Sequence, residues 1–254
     1  MPTPVIAIFG PTGVGKTAVA LALADILRDH GENPLAVSAD ALQVYWGLET
    51  VTGTATAEEQ ARLEHRLVSF VPVTEEFSVG RYMPLAHAEI DCALAAERRP
   101  IVVGGTGLYL RAALADLSMR KAGPTEASEL WSQASRHPTL LCGLVMERPA
   151  LYAAIEARVA AMVAAGAADE VRAAEAAGPS RTARKALGFE ELLSGDIEAM
   201  KKRSRNYARR QLTWMRKMAG VQTIDVTRRD AAAVAAEIGH RLAPGRDVPR
   251  VLAP

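Results

Sequence analysis

At 254 residues the chain is long enough for one large domain with a buried core, and a net charge of +1 gives no bulk electrostatic mark of a nucleic-acid binder. Its two cysteines, Cys92 and Cys142, lie far apart with no neighbouring Cys or His pair; this argues against a disulfide framework or a zinc site and reads as buried thiols in a reducing cytosol. Met1-Pro2-Thr3-Pro4 carries no basic region ahead of its apolar run, and no apolar run approaches membrane length, so a cytoplasmic protein without a signal peptide is expected.

The first element is an apolar strand, Pro4 to Phe9, running into Gly10-Pro11-Thr12-Gly13-Val14-Gly15-Lys16-Thr17 and then a helical pattern from Ala18 to Arg28. Gly, four residues, Gly-Lys-Thr between strand and helix is the spacing of a phosphate-binding loop. Glycines let successive N–H groups converge on one anion, and the helix amino terminus adds partial positive charge. Lys16 brings a full charge to phosphate oxygens, and the Thr17 hydroxyl suits Mg²⁺. A di- or triphosphate is the expected ligand.

A stop at His30-Gly31 leads into a second strand, Leu35 to Ser38, which ends at Ala39-Asp40. Chemistry in open α/β sheets sits beyond the carboxyl ends of strands, so Asp40 shares an edge with the phosphate loop. Residues 41 to 56 read as a loop rich in polar and aromatic side chains, a natural substrate surface. A strand is expected over Arg66 to Val71, a helix from Ser78 to Arg98, and an apolar strand Pro100 to Val103 entering Gly104-Gly105-Thr106-Gly107. A helix over Leu108 to Leu117 precedes a short polar excursion, 118–138, and the strand Thr139 to Val145. An alanine-rich helical region, Pro149 to Ala177, is expected to break near Gly178-Pro179, and Asp196 to Met218 reads as one long helix. Lys201 to Lys217 holds eight Lys or Arg and no acid, a pattern that fits either a solvated face or an RNA backbone. Tyr207, Trp214, Met200 and Met215 read as packing residues. A strand Val221 to Asp225, a helix from about Asp230 and a tail over 244–254 end the chain. Strands alternating with helices predict a P-loop α/β domain over 1–243, three layers around a parallel sheet, with 118–138 as a reduced lobe and 196–218 as a basic helix. The apolar strand Ile101 to Val103 lacks the second carboxylate usual in a hydrolase, which favours transfer with a diphosphate leaving group over ATP hydrolysis and leaves a kinase open.

Six blocks in order resemble the tRNA dimethylallyltransferase family. They are the phosphate loop; Ser38-Ala39-Asp40 with Gln43-Val44-Tyr45; Gly53-Thr54-Ala55; Gly104 to Tyr109; Ala186-Leu187-Gly188-Phe189; and Arg205 to Trp214. The resemblance implies Mg²⁺-dependent transfer of a dimethylallyl group from its diphosphate to N6 of the adenosine beside the anticodon of tRNA. It implies Asp40 as the base, Thr106 over the reacting centre and Lys16 at the phosphates. Gly10, Thr12, Gly13, Val14, Gly15, Lys16, Thr17, Arg205 and Arg209 would hold diphosphate, with Thr17 at the metal. Ser38, Gln43, Val44, Tyr45, Thr54, Arg184, Lys185, Lys202, Arg210 and Gln211 would meet the acceptor or the RNA.

The chain departs from the family pattern in four places. The helical insertion after Gly104-Gly105-Thr106-Gly107 shrinks to about Ser118 to Pro138, Thr56 stands where the pattern has lysine, His65-Arg66 replaces a His-His pair, and Lys185 replaces a glutamine. Transfer to tRNA, transfer to a free adenine nucleotide, a small-molecule kinase and an inactive RNA-binding relative are thus four separable expectations. A monomer is expected.

Overall fold

The computed structural model describes residues 4–117 and 130–242. At its centre runs β1 (Val5–Phe9), five apolar residues that are all buried, as a parallel strand covered on both faces requires. The described strands of the main sheet follow the order β4 (His65–Arg66), β2 (Pro34–Ser38), β6 (Arg99–Gly104), β1, β7 (Thr139–Val145), β8 (Gln222–Asp225), and every pairing is parallel. Val103 lies opposite Ile8 on one side and Ser38 on the other. That register brings the carboxyl ends of β1, β2 and β6 level, so the residues just after them share one edge.

Alternate residues of each strand enter two separate cores. Ala7, Phe9, Val37 and Val102 pack with α4 (Val79–Ala95) and α5 (Gly107–Leu114) through Tyr82, Ile90, Tyr109 and Leu110. Ile6, Ile8, Ala36 and Cys142 face α1 (Lys16–Asp29) and α10 (Ala231–Leu242) through Leu23, Leu27, Val234 and Ile238. The same second core takes in Leu151 and Ile155 from α6 (Arg148–Ala164). The result is the expected P-loop α/β architecture of helix, sheet and helix. Among the described residues no single helix is long and apolar enough to cross a membrane.

Local departures have identifiable causes. The strand expected over 66–71 splits in two, with Leu67 at φ 59° and Ser69 at φ 48°. The N–H groups of Ser69 and Phe70 donate to the carbonyls of Gln43 and Val44, both at 2.8 Å, which draws the chain off the main sheet. A second small sheet results, β3 (Tyr45–Trp46) against β5 (Val71–Pro72). The expected 41–56 loop is therefore partly ordered into β3 and α2 (Glu49–Thr52), with Leu48 and Val51 buried. The alanine-rich region ends by Gly178, as expected, and is broken once more inside, at Gly166 with φ 87°, into α6 and α7 (Ala167–Ala176). Asp196 accepts from the Ala199 N–H at 2.9 Å and so caps the long helix α9 (Ile197–Lys217). Met200 and Met215 are buried as expected, whereas Cys92 is exposed and only Cys142 is a buried thiol. The excursion at 118–138 lies outside the described residues from 118 to 129, as does the tail.

Candidate active site

The phosphate loop is shaped by two left-handed glycines, Gly13 at φ 81° and Gly15 at φ 90°, the second forming the amino-terminal boundary of α1. Lys16 folds back over it, its Nζ donating to the carbonyls of Gly10 and Pro11, both at 3.0 Å. Burial, and then the positive charge of Arg158, lower its pKa to about 8 against the opposing pull of Asp40. Val14 is buried and its N–H donates to Pro11 at 3.4 Å.

Asp40 follows β2 at the same edge. Its carboxylate accepts the Leu42 N–H at 3.0 Å, closing a tight turn rather than capping a helix. Burial raises its pKa above the ordinary carboxylate range, against the pull of the Leu42 N–H and of Lys16. Beneath it, Ser38 is buried and its hydroxyl donates to Gln43 Oε1 at 2.9 Å, while Gln43 Nε2 donates to the Gly53 carbonyl at 3.1 Å. Thr54 is also buried, its hydroxyl 2.9 Å from that of Thr52. Val44 and Tyr45, expected at the acceptor, are both fully buried in the first core, where the Val44 carbonyl accepts the N–H groups of Phe70 and Val71 and Tyr45 opens β3. They shape the wall behind the edge and do not face it.

The Gly104 to Gly107 turn sits beside the loop, and none of its glycines has a positive φ. They answer close approaches instead. A Cβ on Gly104 would lie 2.1 Å from the Ala39 carbonyl oxygen, one on Gly105 2.4 Å from Gln211 Nε2, and one on Gly107 2.4 Å from the Trp214 ring. Thr106 Oγ1 accepts the Ala41 N–H at 3.4 Å and lies 3.4 Å from the Tyr207 hydroxyl. Thr106, Ala41 and Tyr207 thereby gather beside Asp40. Tyr207, read from sequence as a packing residue, instead brings its hydroxyl to this candidate site, its pKa pushed up to about 12 by burial and the Asp40 charge.

Gln211 was expected to meet RNA and does something else. It is buried, its Oε1 accepts the Thr12 N–H at 2.8 Å, and its Nε2 donates to the Gly105 carbonyl at 2.8 Å. One amide thus clamps the phosphate loop to the Gly104 to Gly107 turn, and the Thr12 N–H it holds is taken up by the clamp.

The basic residues divide. Arg184 is held between Glu175 and Glu190, and lies 5.5 Å from the Phe189 ring centroid, so its charge is compensated within the fold. The basic stretch of the long helix, itself free of acids, is partly compensated: Lys201 pairs with Glu198 in the first turn of the same helix at 2.6 Å, and from other elements Glu191 meets Arg203 at 3.0 Å and Glu156 meets Arg205 at 2.8 Å. Arg209 is exposed and bonded to Asn206 on its own helix, and Arg210 is exposed, 5.6 Å from the Tyr207 ring centroid. Lys185 and Lys202 are exposed. Among the described residues Lys202, Arg209, Arg210, Arg216 and Lys217 have no carboxylate partner, which leaves a positive face on α9.

Two residues complete the site. Arg158, which the sequence reading did not pick out of its alanine-rich helix, sits against Gly53 and donates to the Thr52 carbonyl at 3.2 Å. The Thr17 hydroxyl has no protein partner among the described residues, and no cluster of three His, Cys, Asp or Glu there could hold a metal unaided. A hard cation would fit here as one shared between Thr17 and phosphate oxygens.

Comparisons with known proteins bear on the family and the fold. A family model for IPP transferases matches residues 43–137 and 124–218, and one for isopentenyl transferases matches residues 3–73. The tRNA dimethylallyltransferase of Rhodospirillum centenum (strain ATCC 51521 / SW) is 36% identical over an alignment of 284 positions, covering 84% of this chain and 88% of the relative. That of Caulobacter sp. (strain K31) is 33% identical over 316, covering 97% and 99%. Among solved structures, the full-length tRNA isopentenylpyrophosphate transferase of Bacillus halodurans superposes with a TM-score of 0.80 at 28% identity, over 94% of this chain and 97% of that one. A eukaryotic dimethylallyltransferase captured acting on tRNA shares the fold, with a TM-score of 0.79 at 21% identity, over 99% of this chain and 82% of that one.

Proposed function

The chain belongs to the tRNA dimethylallyltransferase family, and on that premise we propose that it transfers a dimethylallyl group from dimethylallyl diphosphate to N6 of an adenosine beside the anticodon of tRNA. The observation that carries this reading is the placement of Asp40 level with the phosphate loop, buried enough to be a stronger base than an ordinary aspartate. The N6 lone pair attacks C1 of the prenyl group, the C1–O bond breaks with its electron pair leaving on diphosphate, and the N6 proton passes to the Asp40 carboxylate. Thr106 and Tyr207 hold the acceptor amine near Asp40. The loop N–H groups and Lys16 take up the charge that develops on the leaving oxygen. Mg²⁺, held by Thr17 and the diphosphate, would neutralise further charge there.

The exposed cations of α9 would meet the RNA backbone, where charge neutralisation releases counterions and makes binding salt-dependent. A free adenine nucleotide is the second reading, and one observation favours it. The two alignments run over 284 and 316 positions, more than this chain's 254 residues, so those relatives carry residues without a counterpart here. The two matches to the IPP-transferase model overlap at 124–137, which supports a reduced lobe at 118–138. Labelled dimethylallyl diphosphate offered to unmodified tRNA and AMP side by side separates the readings. Label in tRNA, suppressed by added salt, is the expected result; label in AMP alone would move the acceptor to the free nucleotide.

A further inference from the structure

α2 is a single turn of helix, and a turn that short does not hold itself in water. Its N-cap position falls to Leu48, whose side chain cannot accept from the N–H groups that open the turn. The acceptor comes instead from α7, 120 residues along the chain. One oxygen of the Glu170 carboxylate takes the Thr50 N–H and the other takes the Val51 N–H, both at 2.8 Å. Leu48 and Val51 bury α2 against the core, but apolar contact has no direction. The paired bonds to Glu170 fix how the turn is oriented.

The other end of that turn leads to the base. The Gly53 carbonyl, just past α2, accepts Gln43 Nε2 at 3.1 Å. Gln43 Oε1 takes the Ser38 hydroxyl at 2.9 Å, and the Gln43 carbonyl takes the Ser69 N–H at 2.8 Å. Those three bonds hold the residue whose own N–H, with that of Leu42, favours the Asp40 carboxylate. Arg158 also touches this end of α2, by a longer single bond to the Thr52 carbonyl at 3.2 Å.

We propose that Glu170 is a positioning residue for Asp40, acting through α2, Gly53 and Gln43; this rests on the prenyl-transfer reading above. Loosening the turn lets the Gly53 carbonyl drift from Gln43, and the base loses its fixed reach to the acceptor amine. Geometry of that kind enters the chemical step more than the binding of either substrate. It also carries a pH signature. Slackening the Gln43 N–H leaves burial less opposed at Asp40 and moves the acid limb of kcat/KM to higher pH. Lys16 and Arg158 are the charged groups that act on Asp40, and Tyr82, Tyr109 and Tyr207 are the other titratable ones; none of the five lies on α2 or α7.

The test compares wild type, Glu170→Gln, Gln43→Leu and the double variant as full-length proteins with Mg²⁺. Glutamine keeps the size of the side chain but accepts through one oxygen only. Glu170→Gln is expected to lower kcat for transfer to tRNA roughly 10- to 100-fold, with both KM values and pyrophosphate affinity within about threefold of wild type. Its acid limb is expected at higher pH. In the Gln43→Leu background the same substitution is expected to cost less than about twofold, because the connection it acts through is already cut. Wild-type kcat in Glu170→Gln overturns the proposal, as does an equal loss with and without Gln43. If wild type itself transfers no prenyl group, the transfer reading fails, and amide hydrogen exchange tests the positioning separately. Faster exchange over 41–44 in Glu170→Gln supports it, and equal exchange overturns it.

Discussion

Asp40→Asn is expected to lower prenyl transfer by roughly 100- to 10,000-fold while leaving pyrophosphate affinity within a few-fold of wild type. Asparagine keeps the size of the side chain and can still accept the Leu42 N–H that closes the turn at 3.0 Å. It cannot take a proton from the acceptor amine. The pH profile carries the sign. Only the carboxylate form of Asp40 is a base, so kcat/KM of the wild type falls as pH drops through its pKa. Burial has raised that pKa, so the fall occurs above the ordinary aspartate range. The same shift has a consequence for folding. A carboxyl whose folded pKa lies above its unfolded value costs stability at neutral pH, and the cost disappears as pH falls from the folded value toward the unfolded one. Asp40→Asn is therefore expected to melt slightly higher than wild type at pH 7. Thermal melts and single-turnover transfer on the same preparation check both halves; undiminished turnover would remove Asp40 from the role of base.

Lys16→Met is expected to weaken pyrophosphate binding and to reduce kcat/KM by roughly 100- to 1,000-fold, since the residue holds the leaving group and acts where charge develops. The lysine is also the group whose charge is most easily lost. With a pKa lowered to about 8 by burial and by Arg158, it is fully protonated well below pH 8 and discharges above it in the free protein. A bound diphosphate favours the ammonium, so binding above pH 8 draws a proton from solution, and below pH 7 it does not. Calorimetric titration of pyrophosphate in buffers of different ionisation heat measures that uptake. Uptake near pH 9 in the wild type that vanishes in Lys16→Met is the expected pair of results, and equal uptake in both would assign the titration elsewhere.

What the sequence made legible was local or periodic. The phosphate loop could be read because its function depends on the backbone of eight consecutive residues. Asp40 could be placed because a parallel sheet brings its strand ends to one edge, and the register of β1, β2 and β6 does so. Continuous apolar runs marked the strands, but they could not distinguish a wall from a surface. Val44 and Tyr45 lie beside Asp40 in the chain and turn away from it, because β3 belongs to a small sheet formed with a segment some 25 residues later. The missed parts depend on distant partners. Gln211 acts through Thr12, 199 residues away, and Gly105, 106 residues away, and neither contact leaves a pattern in one sequence. Arg158 stands in a run of alanines and is identified by Gly53, 105 positions earlier, whose missing side chain makes its seat. The glycines at 104, 105 and 107 suggested a turn, and their use is contact with Ala39, Gln211 and Trp214. The basic helix shows the same limit: its compensating acids, Glu156 and Glu191, come from outside the stretch that was counted.

The fold explains why these groups converge on one edge. Parallel strands order the loop, Asp40 and Thr106 along it, and α9 crosses behind them with Tyr207 on Thr106 and Gln211 on the loop. The helix that carries the exposed cations also clamps the two glycine turns together. An RNA bound along its outer face would thus be held by the element that keeps the diphosphate cradle and the Thr106 turn in register.

Position-specific analysis of the product tests the central claim most directly. Unmodified tRNA, incubated with the protein, dimethylallyl diphosphate and Mg²⁺, is cut into defined fragments and then nucleosides, and the added mass is located. The account predicts one dimethylallyl group on N6 of the adenosine beside the anticodon, formed by wild type and lost in Asp40→Asn. A prenyl group on another nucleoside, or unprenylated tRNA under conditions where the protein binds pyrophosphate, would contradict it.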